Sequence, residues 1–145
     1  MQEITATEIR VRQAAALPDL LAASFDAFEL VRATARSCDD RTPELFAAFM
    51  MTADAAVDGR EAITAAPALP AGSTASMASV PTAATAVDEI TAALAALGEL
   101  LNDRLASAAS GAAAPGDKAA CAEAADAAER IRHLMARGDD DRDLW

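Results

Sequence analysis

The sequence predicts an all-α protein: an antiparallel up-down-up-down four-helix bundle, preceded by a short N-terminal helix or an extended arm. Three observations predict it. Alanine, the best helix former, is the commonest residue, while aromatics make up 3% of the chain and tyrosine is absent, so strand formers are too sparse for a sheet. Apolar residues recur at spacings of three and four in four separate segments. Between these segments stand Pro, Gly and Asp-rich joints suited to helix ends. At 145 residues and 14.8 kDa, the chain has the size of one domain with a modest core.

Residues 1–16 carry the weakest pattern. "EIRVR" alternates like a strand, "QAAAL" continues like a helix, and Thr7 can cap a helix starting at Glu8. The bundle itself is expected over 17–138. Its first helix, about 18–38, opens with Pro18 in the first turn and Asp19 at the positive end of the dipole. Leu21, Phe25 (or Ser24), Phe28, Val31, Ala35 and Cys38 form its inward stripe. The second helix, about 42–66, starts from Thr42 as cap, Pro43 and Glu44. Phe46, Phe49, Met50, Ala53 and Val57 are expected inward, and Asp58-Gly59 is a place where the helix can kink or end.

Residues 67–81, "PALPAGSTASMASVP", are uncharged and rich in small residues. They read as a flexible linker, longer than most bundle connections. The third helix, about 82–110, has Thr82 as its cap. Its heptad seam of Val87, Ile90, Leu94, Leu97, Leu101, Leu105 and Ala108 is the clearest signal in the chain. Gly98 inside it points to close approach of a neighbouring backbone. The fourth helix, about 117–137, is expected to be capped by Asp117 and ended by Gly138, with Cys121, Ala124, Ala128, Ile131 and Leu134/Met135 inward. Residues 139–145 form an acidic C-terminal tail ending in Leu144 and Trp145.

The charge balance narrows the partners. A net charge of −11 and a pI near 4.3 oppose binding to nucleic-acid phosphates or anionic lipid, which need basic patches. The arginine groups at 10/12, 32/36/41 and 130/132/137 read as solvated helix faces. No run of about 20 strongly apolar residues predicts a membrane span. "MQEITATEIRVR" lacks the pattern of a signal peptide, so the expected compartment is the cytoplasm. Abundant alanine, and arginine in place of lysine, suit a bacterial genome of high GC content.

Catalytic constellations are absent from the pattern. The one histidine, His133, lies about 200° around its helix from Ile131, away from the predicted seam. No metal-ligand spacing, phosphate loop or nucleophile elbow occurs, so no enzyme activity, cofactor or metal is expected. Cys38 and Cys121 fall at the same end of neighbouring helices in the expected topology. Two reduced core thiols is the bland reading, and a redox-formed crosslink the sharper one.

What stands out is "PELFAAFMM", residues 43–51, where apolar side chains point in every helical direction. With Phe46, Phe49 and Met50 assigned inward, Leu45, Ala48, Met51 and Ala55 remain as an uncovered face. The expected function is therefore a non-catalytic protein–protein interaction. It would suit a small bacterial accessory or regulatory subunit that docks on another protein, or on itself, through that face, with Leu144 and Trp145 as further anchors. The alternative is a small-molecule sensor with an apolar pocket lined by Phe25, Phe28, Phe46, Phe49, Met50 and Met51.

Overall fold

The computed structural model describes residues 1–71 and 85–143, with residues 137–143 described through their backbone alone. All regular structure among them is helical, in five α-helices. These are α1 (Gln2–Gln13), α2 (Leu17–Cys38), α3 (Phe46–Thr64), α4 (Val87–Gly111) and α5 (Pro115–Asp143), with a 3-10 turn at Pro43–Leu45 leading into α3.

Several helix ends differ from expectation for local reasons. The first segment is a helix from Gln2, so Thr7 caps nothing; the Thr5 hydroxyl instead donates to the Met1 carbonyl. Thr42 does precede Pro43 at a helix start, but its side chain makes no capping bond. Asp58-Gly59 does not end α3, which runs on to Thr64. Thr82 lies outside the described residues, and α4 begins at Val87. In α5 the proline at the first position, Pro115, makes the start. Asp117 stands two residues further in, and its carboxylate accepts the Ala68 N–H at 2.9 Å, tying the chain after α3 to the start of α5. Gly138 does not end α5, whose backbone stays helical to Asp143.

The order of packing also differs. α2 packs on α3, α3 on α5 and α5 on α4, while α1 lies against both α2 and α4 and closes the ring. Ala68 bonds to Asp117, and further along Arg130 on α5 bonds to Asp58 on α3, so α3 and α5 are antiparallel. Gly98 faces Ala128 and Arg132, and Asn102 donates to the Ala125 carbonyl, so α4 and α5 are antiparallel too. Arg41, just past α2, donates to the Thr85 carbonyl just before α4. It follows that α3 and α4 run in the same direction, against the up-down-up-down expectation. Leu69 and Thr85 stand at opposite ends of the helices. The 19 residues of α3 rise about 28 Å, a span no ordinary short bundle loop can cover, which accounts for the length of the connection.

The core follows from this ring. Ile90, Leu94, Leu97, Leu101 and Leu105, five of the seven seam positions, are fully buried on α4. They meet an α5 face made of Cys121, Ala124, Ala127, Ala128 and Ile131, also fully buried. Helices faced with alanine approach closely, and Gly98 marks a point of backbone contact. A Cβ there would fall 2.9 Å from both the Ala128 carbonyl oxygen and the Arg132 nitrogen. On the other side, α3 presents Gly59 to α2, and the Phe28 ring lies directly on its backbone.

Arginines serve this packing more than solvated faces. Arg104 donates to the Ala14 carbonyl and pins the α1–α2 corner to α4. Arg10 pairs with Asp26 at 3.0 Å, joining α1 to α2. Glu29 on α2 holds Arg32 one turn on and Arg60 on α3. Burial pushes the Glu29 carboxyl up, but hydrogen bonds and charge from the two guanidiniums outweigh it, and its pKa falls below the ordinary 4.5. A depressed acid contributes stability above its unfolded-state pKa and loses it as the pH falls through the folded value. Glu29→Gln is therefore expected to cost about 1 kcal/mol at neutral pH. In urea titrations, the gap between variant and parent should hold above pH 5 and close as the pH drops below about 4.5. A gap that persists unchanged down to pH 3 contradicts this role.

Candidate functional site

Among the described residues five large apolar side chains are left in solvent, Met1 and Ile9 at the N-terminal helix and three on the outer side of α3. The position of α3 in the ring explains its three. Gly59 and Arg60 touch α2, which places Thr52, Ala56 and Ile63 on the same stripe. Ala55 and Ala62 share cavity walls with α5 residues, so the adjacent stripe faces α5. Two neighbours on adjacent sides bury Phe49, Thr52, Ala53, Ala55, Ala56, Gly59, Ala62 and Ile63. The rest of the circumference is open.

The expected residues divide accordingly. Leu45 and Ala55, placed on the uncovered face from sequence, are buried, and Ala48 is half-buried. Met51 is 56% exposed, as that face required. Phe46 and Met50, assigned inward, are instead 48% and 36% exposed. Val57, also assigned inward, is half-buried. The inward stripe is rotated because the contacts with α2 and α5 are too close for large side chains, and small residues occupy them. Phe46, Met50 and Met51 thus gather on the first two turns of α3. Leu144 and Trp145 lie outside the described residues.

Phe28 and Phe49 are fully buried and Phe25 is half-buried, all within the main core. The two cavities along α3 include Met51 but no phenylalanine. Neither of these two cavities is the phenylalanine-lined pocket expected from the sequence.

Between α3 and α5 runs a furrow with two halves. One, of about 470 Å³, is lined by Met51, Ala55 and Leu134, with Glu129, Arg130 and His133 at its rim. The other, of about 450 Å³, is lined by Ala62 and Ala65 and by Asp58, Glu61, Glu123 and Asp126. Arg130 belongs to both and crosses between them, donating from both terminal nitrogens to Asp58 at 3.2 Å. Glu129 is held on α5 by Arg132, whose hydrogen bond and charge lower its pKa, with a smaller contribution from His133. His133 is exposed. The acidic half was missed from sequence because Asp58/Glu61 and Glu123/Asp126 each read as ordinary surface pairs. Their i, i+3 spacing puts each pair on one face, but only the α3–α5 register brings the pairs together.

The two cysteines are both free and buried. Cys38 ends α2, near Arg41 and hence near the start of α4. Cys121 is near the start of α5, which pairs with the far end of α4. They occupy opposite ends of the bundle, so the sharper reading of a crosslink is not open to the folded chain, and the two are core thiols. Burial and the nearby Asp117 carboxylate raise the Cys121 pKa, which suits a core thiol rather than a nucleophile.

Among the described residues, no group of three or more His, Cys, Asp and Glu side chains is arranged to hold a metal ion. No described helix is long and apolar enough to cross a membrane. No protein-family model, curated protein or solved structure matches this chain.

Proposed function

We propose that this chain is a non-catalytic helical protein that binds another protein through the outer face of α3, in the manner of a small bacterial accessory or regulatory subunit. The observation that carries the reading is the exposure of Phe46, Met50 and Met51 on consecutive turns, beside a furrow floored by Ala55 and Leu134. Adjacent exposed large apolar groups of this kind mark interaction sites. Methionine adapts its shape to a partner, and an aromatic anchor beside it supplies buried area. The charge of −11 on every copy weighs against self-association and favours a different protein. The sensor alternative has less support, because Phe28 and Phe49 fill the core.

Replacing Met51 and Phe46 with aspartate tests the reading. Both positions are open to solvent, so the urea-unfolding free energy is expected to stay within about 0.5 kcal/mol per site. Co-purification of the protein's partner from its own cells is expected to fall at least tenfold. Recovery of the same partner in equal yield by variant and parent contradicts the proposal.

A further inference from the structure

We infer that the partner of the α3–α5 furrow is a basic amphipathic helix, apolar at one end and lysine- or arginine-rich at the other. The inference rests on the docking role proposed above and assigns the chemistry of what docks. The furrow is not uniform along its length. At the end nearest the start of α3 its floor is Met51, Ala55 and Leu134. At the other end it is bordered by Glu61, Glu123 and Asp126, all exposed and without an ion-pair partner among the described residues. Asp58 is answered by Arg130, which leaves those three as uncompensated negative charge on both banks. A cationic segment lying there gains from all three, while an acidic one is repelled by them and by the net charge of the chain.

The dimensions suit a helix. From Met51 to Ala65 the furrow follows about 21 Å of α3, the rise of about 14 helical residues. A groove with methionine at its apolar end and carboxylates along its rim recognises a helix by spaced apolar anchors and by complementary charge. Among the described residues, a second copy of the chain offers no such element. Its basic residues are scattered and largely engaged, as Arg10 with Asp26, Arg32 and Arg60 with Glu29, and Arg104 with Ala14.

Two labelled synthetic 14-residue peptides test this by fluorescence polarisation against the full chain. Both carry leucines on one face at one end. One has lysines at the other end, and its counterpart has glutamates there. The lysine peptide is expected to bind at least tenfold tighter, and to weaken at least tenfold between 50 and 500 mM salt. The pair Glu123→Lys/Asp126→Lys should reverse the preference, with circular dichroism confirming an unchanged fold. Met51→Asp should weaken both peptides. Equal binding of the two peptides, or indifference to charge reversal, overturns the basic partner. If Met51→Asp still abolishes that equal binding, the docking role survives without it. Binding of the lysine peptide that ignores Met51→Asp, or of neither peptide, also overturns the inference. So does a dimer of the parent chain, seen by sedimentation, that Met51→Asp dissociates.

Discussion

Truncating Phe28 to alanine is expected to cost about 3–5 kcal/mol, a large share of the stability of a domain this size. The ring is fully buried and rests on the backbone of α3 at Gly59, so its removal empties the centre of the α2–α3 contact. The same contact makes a reciprocal prediction. A methyl group at position 59 would overlap Cδ1, Cε1 and Cζ of that ring. Gly59→Ala should therefore destabilise by about 1–3 kcal/mol, even though alanine is favoured over glycine in a helix by up to about 1 kcal/mol. Where Phe28 is first shortened to leucine, the added methyl has room, and Gly59→Ala should become neutral or favourable. Urea unfolding of the four proteins in this cycle measures the coupling. Additivity within about 0.5 kcal/mol means that the ring and the glycine do not meet as described.

Gly98→Ala should also destabilise, for a different reason. At Gly59 the obstacle is a ring, which can tilt. At Gly98 it is the main chain of α5, through the Ala128 carbonyl and the Arg132 amide. The two helices must separate to admit the methyl, and their separation loosens the leucine seam along with it. A loss of about 2–3 kcal/mol is expected, net of the helix-propensity gain. Ala96, exposed on the same helix, is the control: Ala96→Gly should cost only the ordinary propensity of about 1 kcal/mol. If Gly98→Ala instead raises the unfolding midpoint, α4 and α5 are not in backbone contact there.

These two glycines show what could be read from the chain and what could not. The seam of α4 was legible because it is strictly periodic and has one main partner; Ile90 through Leu105 are buried where the spacing puts them. Gly98 was legible for the same reason, as a small residue breaking an otherwise good helix. α3 was not, because it serves two neighbours. Size suggested that Phe46 and Met50 point inward and that Ala55 points out. Crowding reverses this, since close packing against α2 and α5 selects Ala55, Ala56, Gly59 and Ala62 and leaves the large residues at the rim. The topology was hidden too, since periodicity says which face of a helix is buried but not which helix buries it. Its one trace was the long connection after α3, whose length suits a return to the opposite end. The exposure of Met51 was therefore legible, but Phe46 and Met50 stand exposed beside it in place of Leu45 and Ala55. The acidic half of the furrow depends on a helix register that no local pattern encodes.

The central claim is that the outer face of α3 meets another protein, and site-specific photo-crosslinking inside the cell that makes the chain tests it most directly. A photoreactive residue at position 51 should yield one discrete adduct with a second protein. The same residue at position 103, exposed on α4, should yield none. Adducts of the same pattern and yield at both positions, or none at 51, would contradict the account.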